Sequence, residues 1–337
     1  MQRLNQTVDR LFAENTVENL AVKIGRGDEV WAELYRSNHG VLDRNTLFDM
    51  ASVTKILSVT PLSLIALERG WIGLDDPVSR FFPCPEEKRK MTVFHLLTHT
   101  MGIGHKNLTA FAEATVAESI LEIPSDLPIG TEVAYSCPGF ILMGKILEKV
   151  YGLPLNEAFR LQVAAPLGMD STGFLPEKGR AAVNANLREE LRGVVNDYNC
   201  RHLGGVAGNA GIFSTVDDMT RYVKMLLSGG APLISQKTFD LARRDHTPGL
   251  RQGRGLGFLY VDGRYGQTGG LFPDGSIGHC GHTGQSVFVC PENGFWMMIL
   301  SDATKAVTLK YGKENYAEVM EMRRDLHAAV KADLEEA

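Results

Sequence analysis

The sequence predicts a two-part α/β protein, a sandwich of strands and helices built from both chain ends with a mainly helical body inserted between them. Two observations carry this. Strand-like segments joined by tight turns stand near both termini beside helix-spaced segments, and the chain between about residues 52 and 230 reads mainly as helix.

Taken in order, Leu4, Val8, Leu11 and Phe12 recur at helical spacing, and residues 20–25 and 29–35 read as strands joined by a turn at Arg26-Gly27-Asp28. Helical signals follow over 52–69 ending at Gly70, over 94–97, over 139–150 ending near Gly152, and over 217–227 ending at Gly229. Residues 287–289 and 295–300 read as strands around Pro291-Glu292-Asn293-Gly294, and Val319, Met322, Leu326 and Val330 mark a closing helix. No repeat or low-complexity linker interrupts the chain. The expected division is 1–70 with 231–337 for the sandwich and 71–230 for the helical part, packed as one unit.

A chain of 337 residues with 44% hydrophobic content can bury a sizeable core. Its 35 basic and 40 acidic residues give a net charge of −5, with no basic field to concentrate phosphate backbones, so nucleic acid is not an expected partner. The polar opening Met1-Gln2-Arg3-Leu4-Asn5-Gln6 lacks the apolar run of a secretory signal, and no segment is expected to span a bilayer; the expectation is a cytoplasmic protein without membrane association. Five cysteines, an odd number without CxxC spacing, point to free thiols. The sequence specifies no oligomeric state.

The chemistry-bearing feature is Ser52 and Lys55 at the start of an apolar helix. Residues three apart share a helix face, so hydroxyl and amine can meet. Free backbone N–H groups at a helix start favour negative charge on an attacked carbonyl. The run Ile56, Leu57, Val59, Leu62, Leu64, Ile65 and Leu67 leaves little polar face, so Lys55 is expected to be desolvated and its pKa lowered toward that of a working base. Alone, a Ser-x-x-Lys tetrad occurs by chance about once in a chain of this length, and a serine opening a helix is also a common N-cap.

The surrounding blocks add to it. Phe48-Asp49-Met50-Ala51-Ser52-Val53-Thr54-Lys55 and Gly73-Leu74-Asp75-Asp76-Pro77-Val78 are followed by His95-Leu96-Leu97-Thr98-His99-Thr100-Met101-Gly102 and Tyr135-Ser136-Cys137-Pro138-Gly139-Phe140. Pro166-Leu167-Gly168-Met169 and Gly204-Gly205-Val206-Ala207-Gly208-Asn209-Ala210-Gly211 come next. In this order, over roughly residues 45–300, they resemble the serine β-lactamase and penicillin-binding-protein superfamily, in particular its class C and esterase-like branch. The resemblance implies an antiparallel sheet flanked by N- and C-terminal helices, a mainly helical inserted domain, and a site at the junction.

It also implies Ser52 as nucleophile, Lys55 as its partner, and Tyr135 as the second-motif tyrosine that relays protons. That motif usually ends in Asn; here Cys137 offers only a weak donor and acceptor, and no histidine base is evident beside it in the sequence. The third motif is His279-Cys280-Gly281 or His282-Thr283-Gly284. The spacing of Gly278-His279-x-Gly281 before Pro291-Glu292 favours His279, with the backbone N–H of His282 joining that of Ser52 in an oxyanion hole. In the other register His282 is the motif histidine and Gln285 supplies the amide. Histidine in place of lysine leaves no fixed cation for a substrate carboxylate. The expectation is therefore a serine hydrolase of small ester or amide substrates, more an esterase or amidase than an efficient β-lactamase. The alternatives are a β-lactamase or D-alanyl peptidase, and, in another class, a non-catalytic ligand-binding relative.

Neither cofactor nor metal is expected. The segment Gly204 to Gly211 fits no phosphate-binding pattern and reads as a tight loop near the cleft. His95 and His99 lack the Glu of H-E-x-x-H and are expected in packing or loop hydrogen bonds. His279, Cys280, His282 and Cys290 stand on neighbouring strand positions that point to opposite faces.

Overall fold

The computed structural model describes residues 1–108, 115–182 and 191–336. Nine strands form among them: β1 (Asn19–Arg26), β2 (Glu29–Ser37), β3 (Phe48–Asp49), β4 (Gly173–Phe174), β5 (Ile212–Ser214), β6 (Leu259–Tyr260), β7 (Ile277–Cys280), β8 (Ser286–Cys290) and β9 (Phe295–Ser301). Six of them make an antiparallel sheet in the order β2-β1-β9-β8-β7-β6. β1 and β9 are interior strands covered on both faces; β9 is apolar from Phe295 to Leu300, while β1 buries Lys23 among its apolar residues. β2 lies at the edge and alternates with charge, Glu33 reaching across to Lys23 at 3.0 Å. Leu20 pairs with Ser301 and Arg26 with Phe295, so the two chain ends meet in mid-sheet.

One sheet face packs on the helices Gln2–Ala13 and Tyr316–Glu335, burying Leu4, Val8, Leu11, Met322, Leu326 and Val330 against Val22, Phe288 and Ile299. The other face joins a larger core that runs through the helices Thr60–Glu68, Cys137–Tyr151 and Val216–Leu227. The helix Cys137–Tyr151 starts where Ser136 Oγ accepts from the Gly139 amide at 3.1 Å, and stops at Gly152 in the left-handed region at φ 65°. β3, β5 and β4 form a small second sheet beside the start of the Ser52 segment. These short strands, β6 and β7 gave no separate periodic signal in the sequence, because two to four residues show no period.

Two expectations need correction. The Ser52 segment is not one regular helix: a 3-10 turn over Ala51–Val53 passes into a wide π turn over Lys55–Val59, and α-helix begins only at Thr60. Residues 51–68 are also apolar and long enough by composition to cross a bilayer, but 89% of that window is buried inside the fold, so its hydrophobicity belongs to the core.

Candidate active site

A cleft of about 680 Å³ opens where the 3-10 turn, β7 and the start of the helix Cys137–Tyr151 converge. Ser52, His105, Tyr135, Cys137, Asp197, Arg254, His279 and His282 are among its lining residues. Ser52 is presented by a strained turn: Ala51, a non-glycine, is held at φ 45°. Asp49 pins that turn, one carboxylate oxygen accepting from the Ala51 amide at 2.8 Å and the other from Asn196 at 2.7 Å. Burial raises the Asp49 carboxyl to about 6 despite these donors.

Lys55, fully buried, places Nζ 3.1 Å from Ser52 Oγ, 2.9 Å from the Asn209 carbonyl and 3.7 Å from Cys137 Sγ. Burial lowers its pKa, against the opposing pull of Cys137 and Asp197. The glycine-rich segment thus acts in the cleft through a backbone carbonyl. Gly208 packs so closely on the Phe140 carbonyl that a Cβ there would sit 2.0 Å from its oxygen.

The Tyr135 hydroxyl donates to Ser52 Oγ at 2.7 Å, and its ring lies 4.9 Å from Lys55 Nζ. Burial drives the Tyr135 pKa well above 10, so the group stays a phenol. His99 backs it, its ring 4.8 Å from that of Tyr135, with Nδ1 accepting from the Ser136 amide at 3.0 Å; His95 Nδ1 accepts from the Thr92 amide at 3.1 Å.

Cys137 does have a histidine near it, contrary to the sequence reading, because the chain fold brings His105 into the same cleft. Burial would raise the thiol, but Lys55 and His105 together bring it below its usual value.

The structure puts the two candidate third-motif histidines in different settings. His279 on β7 is buried, its ring 6.2 Å from that of Tyr135. Nδ1 lies 2.7 Å from the Cys280 carbonyl, which can only accept, so Nδ1 carries the hydrogen and Nε2 keeps its lone pair. Burial, reinforced by Lys55 and Arg254, holds His279 well below its ordinary pKa. The exposed His282 side chain stands at the rim, stacked on Tyr316 at 5.1 Å and 3.2 Å from Glu314. Gln285 is buried inside the β7–β8 turn, where its side chain ties the turn to the Asp49 carbonyl at 2.5 Å and its own carbonyl accepts from the Gly281 amide at 2.9 Å. The Gly281 carbonyl accepts in turn from Arg323 at 2.6 Å, a buried arginine on the closing helix. No group of His, Cys, Asp and Glu residues suited to a metal occurs among the described residues.

Sequence reasoning missed Arg254. It is 2% exposed and lies in the cleft wall, its Cζ 5.9 Å from the Tyr135 ring centre. The absence of a fixed cation, inferred from the third-motif histidine, is therefore corrected: the cleft has one, supplied from the loop before β6. An arginine among glycines in Gln252-Gly253-Arg254-Gly255 carries no periodic signal; its isolation from any nearby acid in sequence was the only hint.

A serine, lysine and tyrosine meeting in a cleft between sheet and helical body matches what comparison with known proteins finds, since the Beta-lactamase family model matches residues 4–321. The chain belongs to the Beta-lactamase family. The family comprises serine hydrolases. Curated relatives include a Salmonella enteritidis protein named “Putative D-alanyl-D-alanine carboxypeptidase”, 27% identical over 303 residues, which cover 77% of this chain and 69% of that one. Among solved structures, EstCE1, described as a hydrolase with promiscuous acyltransferase activity, superimposes with a TM-score of 0.75 at 22% identity over 97% of this chain and 98% of its own. An octameric penicillin-binding protein homologue from Pyrococcus abyssi gives 0.72 at 21% identity, over 93% of this chain and 78% of that one. These likenesses establish the β-lactamase and penicillin-binding-protein fold.

Proposed function

We propose that this member of the family forms an acyl-enzyme at Ser52 on small ester or amide substrates, with Lys55 as general base. The observation that carries the reading is that Ser52 Oγ lies within hydrogen-bond distance of both a desolvated lysine and a protonated tyrosine. Neutral Lys55 takes the Ser52 proton as Oγ bonds to the carbonyl carbon. The tetrahedral oxyanion is received by the backbone N–H groups of Ser52 and His282. Tyr135, kept a phenol by burial, passes a proton to the departing oxygen or nitrogen and is resupplied from Lys55. The carbon–heteroatom bond then breaks to leave the Ser52 ester, and water reverses the sequence to release the acid. The tyrosine's raised pKa and the lysine's lowered one favour this division of roles over a tyrosinate base. His279 presents Nε2 as an acceptor for a substrate N–H or O–H.

Treatment with a fluorophosphonate probe, followed by intact-mass analysis, is expected to give one adduct that disappears in Ser52→Ala. No adduct across several probes would favour a ligand-binding relative. A second reading, a D-alanyl peptidase or β-lactamase, draws support from the names of the Salmonella relatives. Turnover of D-alanyl peptides or a chromogenic cephalosporin above that of p-nitrophenyl esters would establish it.

A further inference from the structure

Two buried arginines flank the cleft, and they are satisfied to different degrees. Arg323 uses every nitrogen of its guanidinium: Nη1 donates to the Gly281 carbonyl, Nε and Nη2 to Gln267 at 3.1 and 2.7 Å, and Nη2 also to the Tyr316 hydroxyl at 3.0 Å. Arg254 donates through Nη2 to the Gln252 side chain at 2.6 Å, while its Nε and Nη1 are buried with no partner among the described residues. The acidic groups acting on it are the weak acids Tyr135, Tyr265 and Cys280, and among the described residues no aspartate or glutamate forms an ion pair with it. Burial lowers its pKa to about 10, so it remains a cation at neutral pH.

A desolvated guanidinium with unused donors and no counter-ion is costly to maintain, and a planar fork of this kind matches a carboxylate. The acids that line the same cleft are already engaged. Asp197 accepts from the Cys200 amide at 2.8 Å and from Asn209 Nδ2 at 2.9 Å, and Glu314 pairs with His282. Tyr135 joins the two centres, its hydroxyl on Ser52 and its ring beneath Arg254. We propose that Arg254 anchors a carboxylate of the substrate, so that the cleft selects acyl compounds carrying an anionic group about one tyrosine side chain away from the reacting carbonyl. The inference rests on the hydrolase reading for its substrate and on Arg254 alone for its anion.

The test compares p-nitrophenyl hydrogen glutarate with p-nitrophenyl pentanoate as substrates. In parallel, calorimetry compares monomethyl glutarate with dimethyl glutarate as ligands of Ser52→Ala. Wild type is expected to prefer the anionic ester, and Arg254→Met to lower that preference, as the ratio of kcat/KM values, by about 10- to 100-fold. Arg254→Lys, which keeps the charge but loses the fork, is expected to fall between them. Calorimetry should show the same order of anion preference in the Ser52→Ala background. Equal treatment of the anionic and neutral compounds by wild type and Ser52→Ala overturns the proposal without any Arg254 variant. A preference that survives Arg254→Met in a folded protein overturns it as well. If no ester is turned over but Ser52→Ala still binds monomethyl glutarate in an Arg254-dependent way, the anion site stands and the hydrolase reading fails.

Discussion

Lys55→Met removes the proposed base while changing little else. Methionine is close to lysine in length and apolar enough for a site with no exposure, so the packing around Ile56, Val59 and Phe140 is retained. Three contacts are lost, to Ser52 Oγ at 3.1 Å, to the Asn209 carbonyl at 2.9 Å and to Cys137 Sγ at 3.7 Å. The serine keeps its bond to Tyr135, whereas the orphaned carbonyl costs about 1–3 kcal/mol of stability, a loss the folded protein tolerates. Removal of a positioned general base lowers the rate by about 10²- to 10⁴-fold, or about 3–5 kcal/mol on the barrier. The assay is the second-order rate of fluorophosphonate labelling by intact mass, with urea unfolding to show that the variant is folded. The wild-type rate should rise with pH through the Lys55 pKa, which lies below the ordinary 10.5, and the variant should lose that rise. Labelling of folded Lys55→Met within about threefold of wild type would refute Lys55 as base.

Because burial and the nearby Arg254 cation keep His279 neutral, KM for p-nitrophenyl hydrogen glutarate should stay flat from about pH 6 to 8; a climb across that window would mean that protonated His279 binds the anion. His327 is held at about 4 by burial, so the unfolded chain takes up a proton there first as pH falls. The stability its neutral form contributes is complete above about pH 6.5 and is lost on descending toward 4, at up to about 1.4 kcal/mol per pH unit. In His327→Gln, urea unfolding across that range should show a shallower acid slope, and an unchanged slope would reject the assignment. Gly208→Ala drives a Cβ into the Phe140 carbonyl, so stability should fall by about 1–3 kcal/mol and Ser52 labelling should slow as the Asn209 carbonyl shifts from Lys55. Wild-type values in both assays would show that the loop is not tied to the lysine.

Much of the frame was legible because it rests on periodic burial. The opening helix, the first hairpin, the strands around 291–294 and the closing helix each repeat apolar residues at a spacing that identifies the element. Ser52, Lys55 and Tyr135 were picked out by ordered motifs, and the structure places Ser52 Oγ 3.1 Å from Lys55 Nζ and 2.7 Å from the Tyr135 hydroxyl. What escaped is non-local. His105 meets Cys137, and Arg254 meets Tyr135, across chain separations that no window spans. The irregular 3-10 and π turns at Ser52 were hidden as well, because the apolar run that predicts helix is indifferent to whether a turn holds three, four or five residues.

The pairing of β1 with β9 also governs when this protein can exist. Leu20 finds Ser301 only after the long segment between them has been made, and Gly281 receives its Arg323 contact later still. A growing chain that has already emitted Ser52, Lys55 and Tyr135 therefore carries the reacting groups without the sheet that closes their cleft, and β1 waits with an open apolar edge. Such long-range closure slows folding and exposes that edge to other chains. The cleft is thus closed by residues far along the chain from Ser52: Ser301 completes the sheet beside it, and Arg323 ties down the β7–β8 turn.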